Sequence, residues 1–400
     1  MERIGPRSAD VVVVGGGVTG CFAAYALASR GLDVLLVERD DVARHASGAN
    51  PGGLNPLHGA GIPGPLEALA RESFALHARV RETLGASDPR ATARRPGRIQ
   101  IAMSPADLPA LEATRAFHEG QEGFSARWLD REELLALEPR LHTAVVRGLL
   151  TEGAATVEAR PYVRAIADAA GRLGARLVHD EVRELVREGA RVAAVVLSDG
   201  PIAAGAVVLA TGPWVERAAA WLGCGLPIEP VKGELLLARV AGRPFAHDFA
   251  WRDAALYALA SGDVWLGGTE ERVGFDETPS QAGCATILER VRRMLPAVVD
   301  ARILRRVSGL RPVTPDGLPI CGHAPGWENV VLALGAGRKG MLLGAGLGRA
   351  AADLVVDGHT RLPIGALGLE RFGALPAPRA ASGGRDAFRQ DPWHGIAGPA

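Results

Sequence analysis

Lysine is nearly absent from this chain. Of its 45 basic residues, all but Lys232 and Lys339 are arginine. Arginine and lysine are not interchangeable at tight sites, so the two exceptions stand out. Cysteine is scarce as well: Cys21, Cys224, Cys284 and Cys321 lie far apart, with no C-x-x-C pair and no metal-ligand spacing. That excludes a disulfide framework and a clustered metal site, and it leads to the expectation of a reduced, cytoplasmic protein. Net charge is absent too, 45 acidic residues balancing the 45 basic ones. Nothing global therefore draws the chain to nucleic acid or to an anionic membrane. No internal repeat is evident. The uncharged stretch 11–28 follows Arg3 and Arg7 and imitates a secretory signal. Gly15, Gly16, Gly17 and Gly20 sit where such a signal would carry leucines, which favours a strand, turn and helix. No transmembrane segment is expected.

What is present is glycine, 51 residues of it, scattered as turns and close approaches within a chain of 400 residues, long enough for two or three cores. Residues 11–14 read as a buried parallel strand, 18–30 as a helix stopped by Gly31, and 32–38 as a second buried strand, together a β-α-β unit. Helices are predicted over 66–84, 106–119, 130–138, 158–173, 287–294 and 340–356. Strands are predicted over 98–103, as a hairpin ladder in 177–210, and over 232–240, 256–260, 264–268, 302–310, near Ile320, and over 330–334. This is a nucleotide-binding layer made from separated pieces of chain, with a mainly β layer inserted between them.

Six motifs carry the chemistry. Gly15-x-Gly17-x-x-Gly20 lies between strand and helix, and Glu38 closes the next strand. The glycines permit a tight turn and close approach of a pyrophosphate to the helix N-terminus, and Glu38 is placed for a ribose diol. The motif marks a dinucleotide without separating FAD from NAD. Ala46-Ser47-Gly48-Ala49-Asn50-Pro51-Gly52-Gly53-Leu54 is either a plain surface loop or a small-residue bed for a flat ligand. Ala210-Thr211-Gly212-Pro213-Trp214 ends a buried strand, as a core feature or as a second approach to the cofactor. In Pro230-Val231-Lys232-Gly233-Glu234 the rare lysine reads equally as solvated or chemical. Arg311, in GLRPVTPDG, follows an apolar strand, and an interior arginine demands an anionic partner, structural carboxylate or substrate. Gly335-Ala336-Gly337-Arg338-Lys339-Gly340-Met341 opens an apolar helix, where two cations add to the positive helix end.

In this order, PVKGE, GLRPVTPDG and GAGRKGMLL resemble the D-amino acid oxidase superfamily, and within it glycine oxidases most. The resemblance runs from Asp10 to about Phe372. It implies an α/β fold: a discontinuous Rossmann-like FAD-binding domain (8–85, 145–228 and 305–365) with an inserted antiparallel β-sheet substrate domain (86–144 and 229–304). A tail at 373–400 is expected to be mobile. It also implies that Val18, Thr19, Glu38 and Arg39 hold adenosine and pyrophosphate. Ala46, Ser47, Gly52 and Gly53 would line the flavin, Val182 would touch adenine, and Gly337 to Leu342 would run along the isoalloxazine. Arg311 would clamp a substrate carboxylate opposite Tyr257, with Arg338 as a second anion contact and Lys232 as a further catalytic candidate.

The departures are informative. Tyr257-Ala258-Leu259-Ala260 stands where glycine oxidases tend to read Y-I-V-P. The oxygen-activating lysine of monomeric sarcosine oxidases has no counterpart in Val264-Trp265-Leu266-Gly267. Their flavin-linking cysteine would fall near Gly309, so FAD is expected to be non-covalent. The SGANPGGLNP loop also resembles the oxidase domain of a bacterial tRNA wobble-uridine modification enzyme, which oxidises a larger secondary amine. The expected reaction is hydride removal from the C–N carbon of a small amino acid or amine, with oxygen or another carrier as acceptor. Two alternatives are a dehydrogenase of a cyclic amine or 2-hydroxy acid, for which His58 or His323 would serve as base, and a flavin-binding subunit of a heteromeric amine dehydrogenase. A homo-oligomer is left open. No Ser/His/Asp or Cys/His set points to hydrolysis.

Overall fold

The computed structural model describes residues 8–376, so most of the segment 373–400 lies outside the described residues. The opening run becomes the strand Ser8–Val14, whose alternate faces are both buried because helices cover one side and a hairpin layer the other. Helix Val18–Ala28 and strand Val34–Glu38 complete the β-α-β unit. The first sheet runs Ile320–His323, Val330–Leu334, Gly200–Leu209, Ser8–Val14, Val34–Glu38, Arg176–His179, with Arg191–Leu197 and Glu184–Glu188 continuing beyond Gly200–Leu209 as an antiparallel ribbon. The inner strands are parallel, as short apolar runs separated by helices require. The closing helix Gly340–Asp357 packs on Val18–Ala28 through glycine. A Cβ on Gly348 would lie 2.5 Å from the Thr19 carbonyl oxygen, so only glycine allows this spacing.

The second sheet runs Arg302–Val313, Glu229–Arg239, Val264–Gly267, Ala254–Ala258, Asp248–Trp251, Arg98–Ala102, Arg147–Glu152, Ser125–Leu129. Helix Gln281–Met294 covers one face, burying Ile287, Val291 and Met294 against Leu236, Leu256 and Leu266. All its pairs are antiparallel except Asp248–Trp251 with Arg98–Ala102, which is parallel.

Three expectations need correction. Arg176–His179 pairs in parallel with Val34–Glu38 and so does not belong to the hairpin ladder. Arg147–Glu152 lies in the second sheet, between Arg98–Ala102 and Ser125–Leu129, although the boundaries drawn from sequence put 145–228 with the nucleotide unit. Likewise Arg302–Val313 is one continuous strand paired along Glu229–Arg239, so a boundary at 305 cuts it. Pairing partners far away in sequence decide both cases, and local pattern does not carry them.

Candidate active site

A cavity of about 1070 Å³ opens at the carboxyl ends of the parallel strands and extends over the second sheet, the position where open α/β sheets bind ligands. The glycine turn forms one end. Gly15 has φ of +108°, and a Cβ there would come within 2.4 Å of the Ala210 carbonyl oxygen. The first and third motifs thus interlock through backbone alone. Gly20 serves the same packing, since a Cβ on it would lie 1.9 Å from the Gly15 carbonyl oxygen. Glu38 accepts from the N–H groups of Gly16 (2.6 Å) and Asp40 (2.8 Å), which fixes its carboxylate beside the helix N-terminus. Val18 donates to the Ser47 hydroxyl at 2.9 Å, joining the second motif to that helix end. The guanidinium of Arg39 lies 5.0 Å over the Trp214 ring.

Thr211 is the telling residue at this end. Its hydroxyl is buried, lines the cavity and has no hydrogen-bond partner among the described residues. A buried polar group without a partner is costly, so the cavity fits a ligand that brings one. Gly15, Gly17, Val18, Thr19, Glu38, Arg39, Ala46, Ser47, Asn50, Gly53, Val182, Ala210, Thr211, Gly212 and Trp214 all border this cavity. Gly20, Gly48, Gly52 and Leu54 stand behind its wall as packing residues. Gly48 and Gly52 would clash with the Ala43 and Val157 carbonyl oxygens if they carried a Cβ (2.1 and 1.7 Å).

The far end is cationic. In the paired strands Val231 faces Arg311 and Gly233 faces Gly309. Side chains alternate across a strand, so Val231, Gly233, Leu235, Gly309 and Arg311 share one face of the sheet. Lys232 and Glu234 fall on the other. Lys232 therefore does not line the cavity: its ammonium contacts Glu234 (3.1 Å) and Glu271 (3.6 Å) and donates to the Thr278 carbonyl (3.3 Å). Its assignment as a catalytic candidate is corrected by this parity. Its rarity reflects a buried structural ion pair. Glu234 also accepts from the Ser280 N–H at the start of helix Gln281–Met294.

Arg311 points into the cavity. Its Nη1 donates to the Thr269 carbonyl (3.1 Å) and lies 3.8 Å from Glu270. Its other N–H groups have no hydrogen-bond partner among the described residues. Glu270 itself is held by a two-point contact from Arg338, which keeps its carboxyl below the usual range and neutralises Arg338. Arg338 therefore enters the site as the partner of Glu270, its side chain 59% exposed, and is not a free anion contact. Tyr257 lines the same cavity, with the Arg98 guanidinium 5.8 Å over its ring.

Gly337, Lys339, Gly340 and Met341 border the cavity as the helix Gly340–Asp357 begins, while Leu342 turns inward and is buried. Lys339 does not project freely. It donates to the carbonyls of Asn55 (3.1 Å) and His58 (2.5 Å), and burial together with Arg98 brings its ammonium down to about 8. His58 also lines the cavity, and burial, with Arg98 and Lys339, depresses its imidazole to about 3. His323 is exposed on the strand Ile320–His323 and does not border the cavity. None of the four cysteines borders it either, and Cys321 is fully buried in the core.

Sequence reasoning missed Arg98, Glu270, His58 in its actual setting, and the loop carbonyls of Asn55 and His58. Arg98 opens a strand whose alternate residues Ile99 and Ile101 are buried. An arginine on the opposite face of such a strand reads as solvated.

A family model described as DAO, FAD dependent oxidoreductase, matches residues 10–354. The chain belongs to this family. The family's cofactor is FAD, and the cavity fits it at the orphan Thr211 hydroxyl, the helix N-terminus and Glu38. Among relatives, the glycine oxidase of Geobacillus kaustophilus is 31% identical over 369 residues, spanning 90% of this chain and 97% of the relative. The D-amino acid dehydrogenase of Paramagnetospirillum magneticum is 30% identical, over 90% of this chain and 98% of the relative. The crystal structure of the Geobacillus glycine oxidase aligns with TM-score 0.84 and 29% identity over 91% of this chain and 99% of that one. An iminodiacetate oxidase from Chelativorans sp. BNC1 aligns with TM-score 0.81 and 25% identity over 90% and 98%. At family level the activity is FAD-dependent oxidation of amines or amino acids. Among the described residues no helix is long and apolar enough to cross a membrane, and no group of acidic, His or Cys side chains could hold a metal ion.

Proposed function

We propose that this protein oxidises the C–N bond of a small α-amino acid or a secondary amine bearing a carboxylate. The observation that carries the reading is Arg311: a guanidinium inside the cavity whose Nη1 is tied to one carbonyl and lies 3.8 Å from Glu270, and whose remaining donors meet no acceptor among the described residues. A carboxylate supplied by substrate satisfies that fork. FAD, when bound, supplies the two-electron acceptor for the hydride leaving the α-carbon. The chain's own residues orient and shield the substrate. Arg311 fixes the carboxylate, Tyr257 closes the opposite wall, and the loop carbonyls of Asn55 and His58 stay engaged by Lys339. Arg311, Arg98 and Lys339 also favour the neutral amine over an ammonium, because like charges lower its pKa. Loss of hydride and one proton gives an imine. Water then converts it to an oxo acid and ammonia, or to a primary amine where the substrate was secondary.

A 2-hydroxy acid needs a base for its hydroxyl proton. Two imidazoles line the cavity: His58, at about 3, is a weak base at neutral pH, and His45 has both ring nitrogens engaged by Asp40 and Glu277. That favours amines over alcohols. The presence of Arg311 and Tyr257 in the FAD-binding cavity also speaks against a flavin subunit without chemistry of its own.

The test is an anaerobic screen of the yellow holoprotein against glycine, sarcosine, D- and L-amino acids, proline and 2-hydroxy acids, followed by air. Bleaching by an amino acid supports the reading, and fast colour return in air would make oxygen the acceptor. Slow return would mark a dehydrogenase, as the names of the relatives divide. Bleaching by hydroxy acids alone would overturn it.

A further inference from the structure

Arg311, with only a loose contact to Glu270 at 3.8 Å, is not the only arginine in the cavity with donors to spare. Arg98 opens the strand Arg98–Ala102 and borders the same space from the second sheet. Its Nε is buried without a hydrogen-bond partner, and no carboxylate pairs with its guanidinium among the described residues. Asp248 lies across the parallel pairing from Arg98. The two charges attract, but they form no ion pair: the Asp248 carboxylate accepts from the Ala258 N–H at 2.9 Å. Lys339 is the cation beside Arg98 and repels it, while His58, brought down to about 3, stays neutral. Glu270, an acid of the cavity wall, is occupied by Arg338. Tyr257 joins the two arginines: its ring lies under Arg98, and its hydroxyl oxygen feels the charge of Arg311.

An arginine beside a lysine, with a buried, unpartnered N–H and no ion pair, costs free energy in the protein alone, and an anion entering the cavity offsets that cost. Arg311 already accounts for one carboxylate. We propose that Arg98 reads a second one, so that the preferred substrate is a dicarboxylic amine: an amino acid with an acidic side chain, or a glycine carrying a carboxyalkyl group on nitrogen. This rests on Arg311 as the anchor for the α-carboxylate in an amine-oxidising site. Arg98 is a specificity residue here, touching substrate at a distance from the bond that breaks.

Pairs of near-isosteric substrates isolate the second charge: D- and L-aspartate against the asparagines, and iminodiacetate against its monoamide. One charge-assisted hydrogen bond is worth roughly tenfold or more in binding. The acid of a pair is therefore expected to exceed its neutral partner by about tenfold or more in kcat/KM, mainly through KM. Arg98→Met should erase that ratio and Arg98→Lys should keep part of it. A preference for aspartate would place the second group on the side chain, and one for iminodiacetate would place it on nitrogen. An equal ratio in wild type and Arg98→Met, or a wild-type preference for the neutral partner, overturns the proposal while leaving amine oxidation standing.

If no amine bleaches the flavin, the underlying reading fails, and Arg98 is still judged by binding. The holoenzyme is titrated with succinate and with propionate while the flavin absorption is followed. Tighter succinate binding that Arg98→Met weakens supports the second anion site, and equal binding sinks it. Should Arg98→Met not fold, Arg98→Gln takes its place, and the wild-type isostere ratio decides independently.

Discussion

A Cβ on Gly233 would lie 2.2 Å from both terminal nitrogens of Arg311, so the guanidinium rests directly on the backbone of the neighbouring strand. The glycine in PVKGE thus sets the position of the proposed carboxylate clamp although it has no side chain. Gly233→Ala should leave folding intact, because the clashing atoms are the free end of a flexible side chain. It should push Arg311 out of position and raise KM for the carboxylate substrate about tenfold or more. Comparing KM with the thermal midpoint checks this, since a midpoint loss without a KM change would refute the placement.

Arg311 itself can be tested by two replacements. Arg311→Met removes the charge and the fork, and should lower kcat/KM by about a hundredfold or more, on the scale of charge-assisted contacts. Arg311→Lys keeps a point charge and loses the planar donor pair, so it should recover only part of that loss. Steady-state kinetics with one bleaching amine separates the cases, and equal values for all three proteins would remove Arg311 from the site.

At the other end, Thr211→Val deletes a buried hydroxyl with no partner among the described residues. The apoprotein should become no less stable, because nothing is left unpaired. FAD affinity should fall about three- to tenfold, the worth of one ordinary hydrogen bond. Fluorescence titration of the apoprotein with FAD measures this, and an unchanged Kd would show that the hydroxyl faces no cofactor group.

These residues also show what the sequence could and could not carry. The β-α-β unit was legible because its signal is local: an apolar run too short for a helix, a glycine turn, and an acid at the next strand's end. The closing helix and the pair of strands holding PVKGE and GLRP were legible for the same reason. Ser125–Leu129 was missed because it is a five-residue edge strand, too short for its alternation to stand out, and Asp248–Trp251, four residues long, was missed for the same reason. Lys232 and Arg98 invert each other. Scarcity drew attention to the lysine, which strand parity turns away from the cavity, while the arginine looked like one of many on a solvated face and parity turns it inward. Which face of a sheet meets the cavity is settled by the packing of the two sheets, and no local pattern encodes it.

The closing helix depends on a histidine that no motif contains. His77, buried in the helix Glu67–Gly85, donates from Nε2 to the carbonyls of Met341 and Leu342 (3.0 Å each) and accepts at Nδ1 from the Tyr162 hydroxyl (2.8 Å). That arrangement uses the neutral ring, and burial brings its pKa down from 6.5 to about 4. In the unfolded chain the ring takes up its proton first as pH falls. The stabilisation is therefore complete above about 6.5, is lost as pH falls toward about 4, and changes no further below that. At about 1.4 kcal/mol per pH unit the loss is on the order of 3 kcal/mol. His77→Gln keeps a donor and an acceptor without titrating. Urea midpoints measured across this window should fall more steeply for the wild type than for the variant, and parallel curves would mean that His77 is not held neutral beneath the helix.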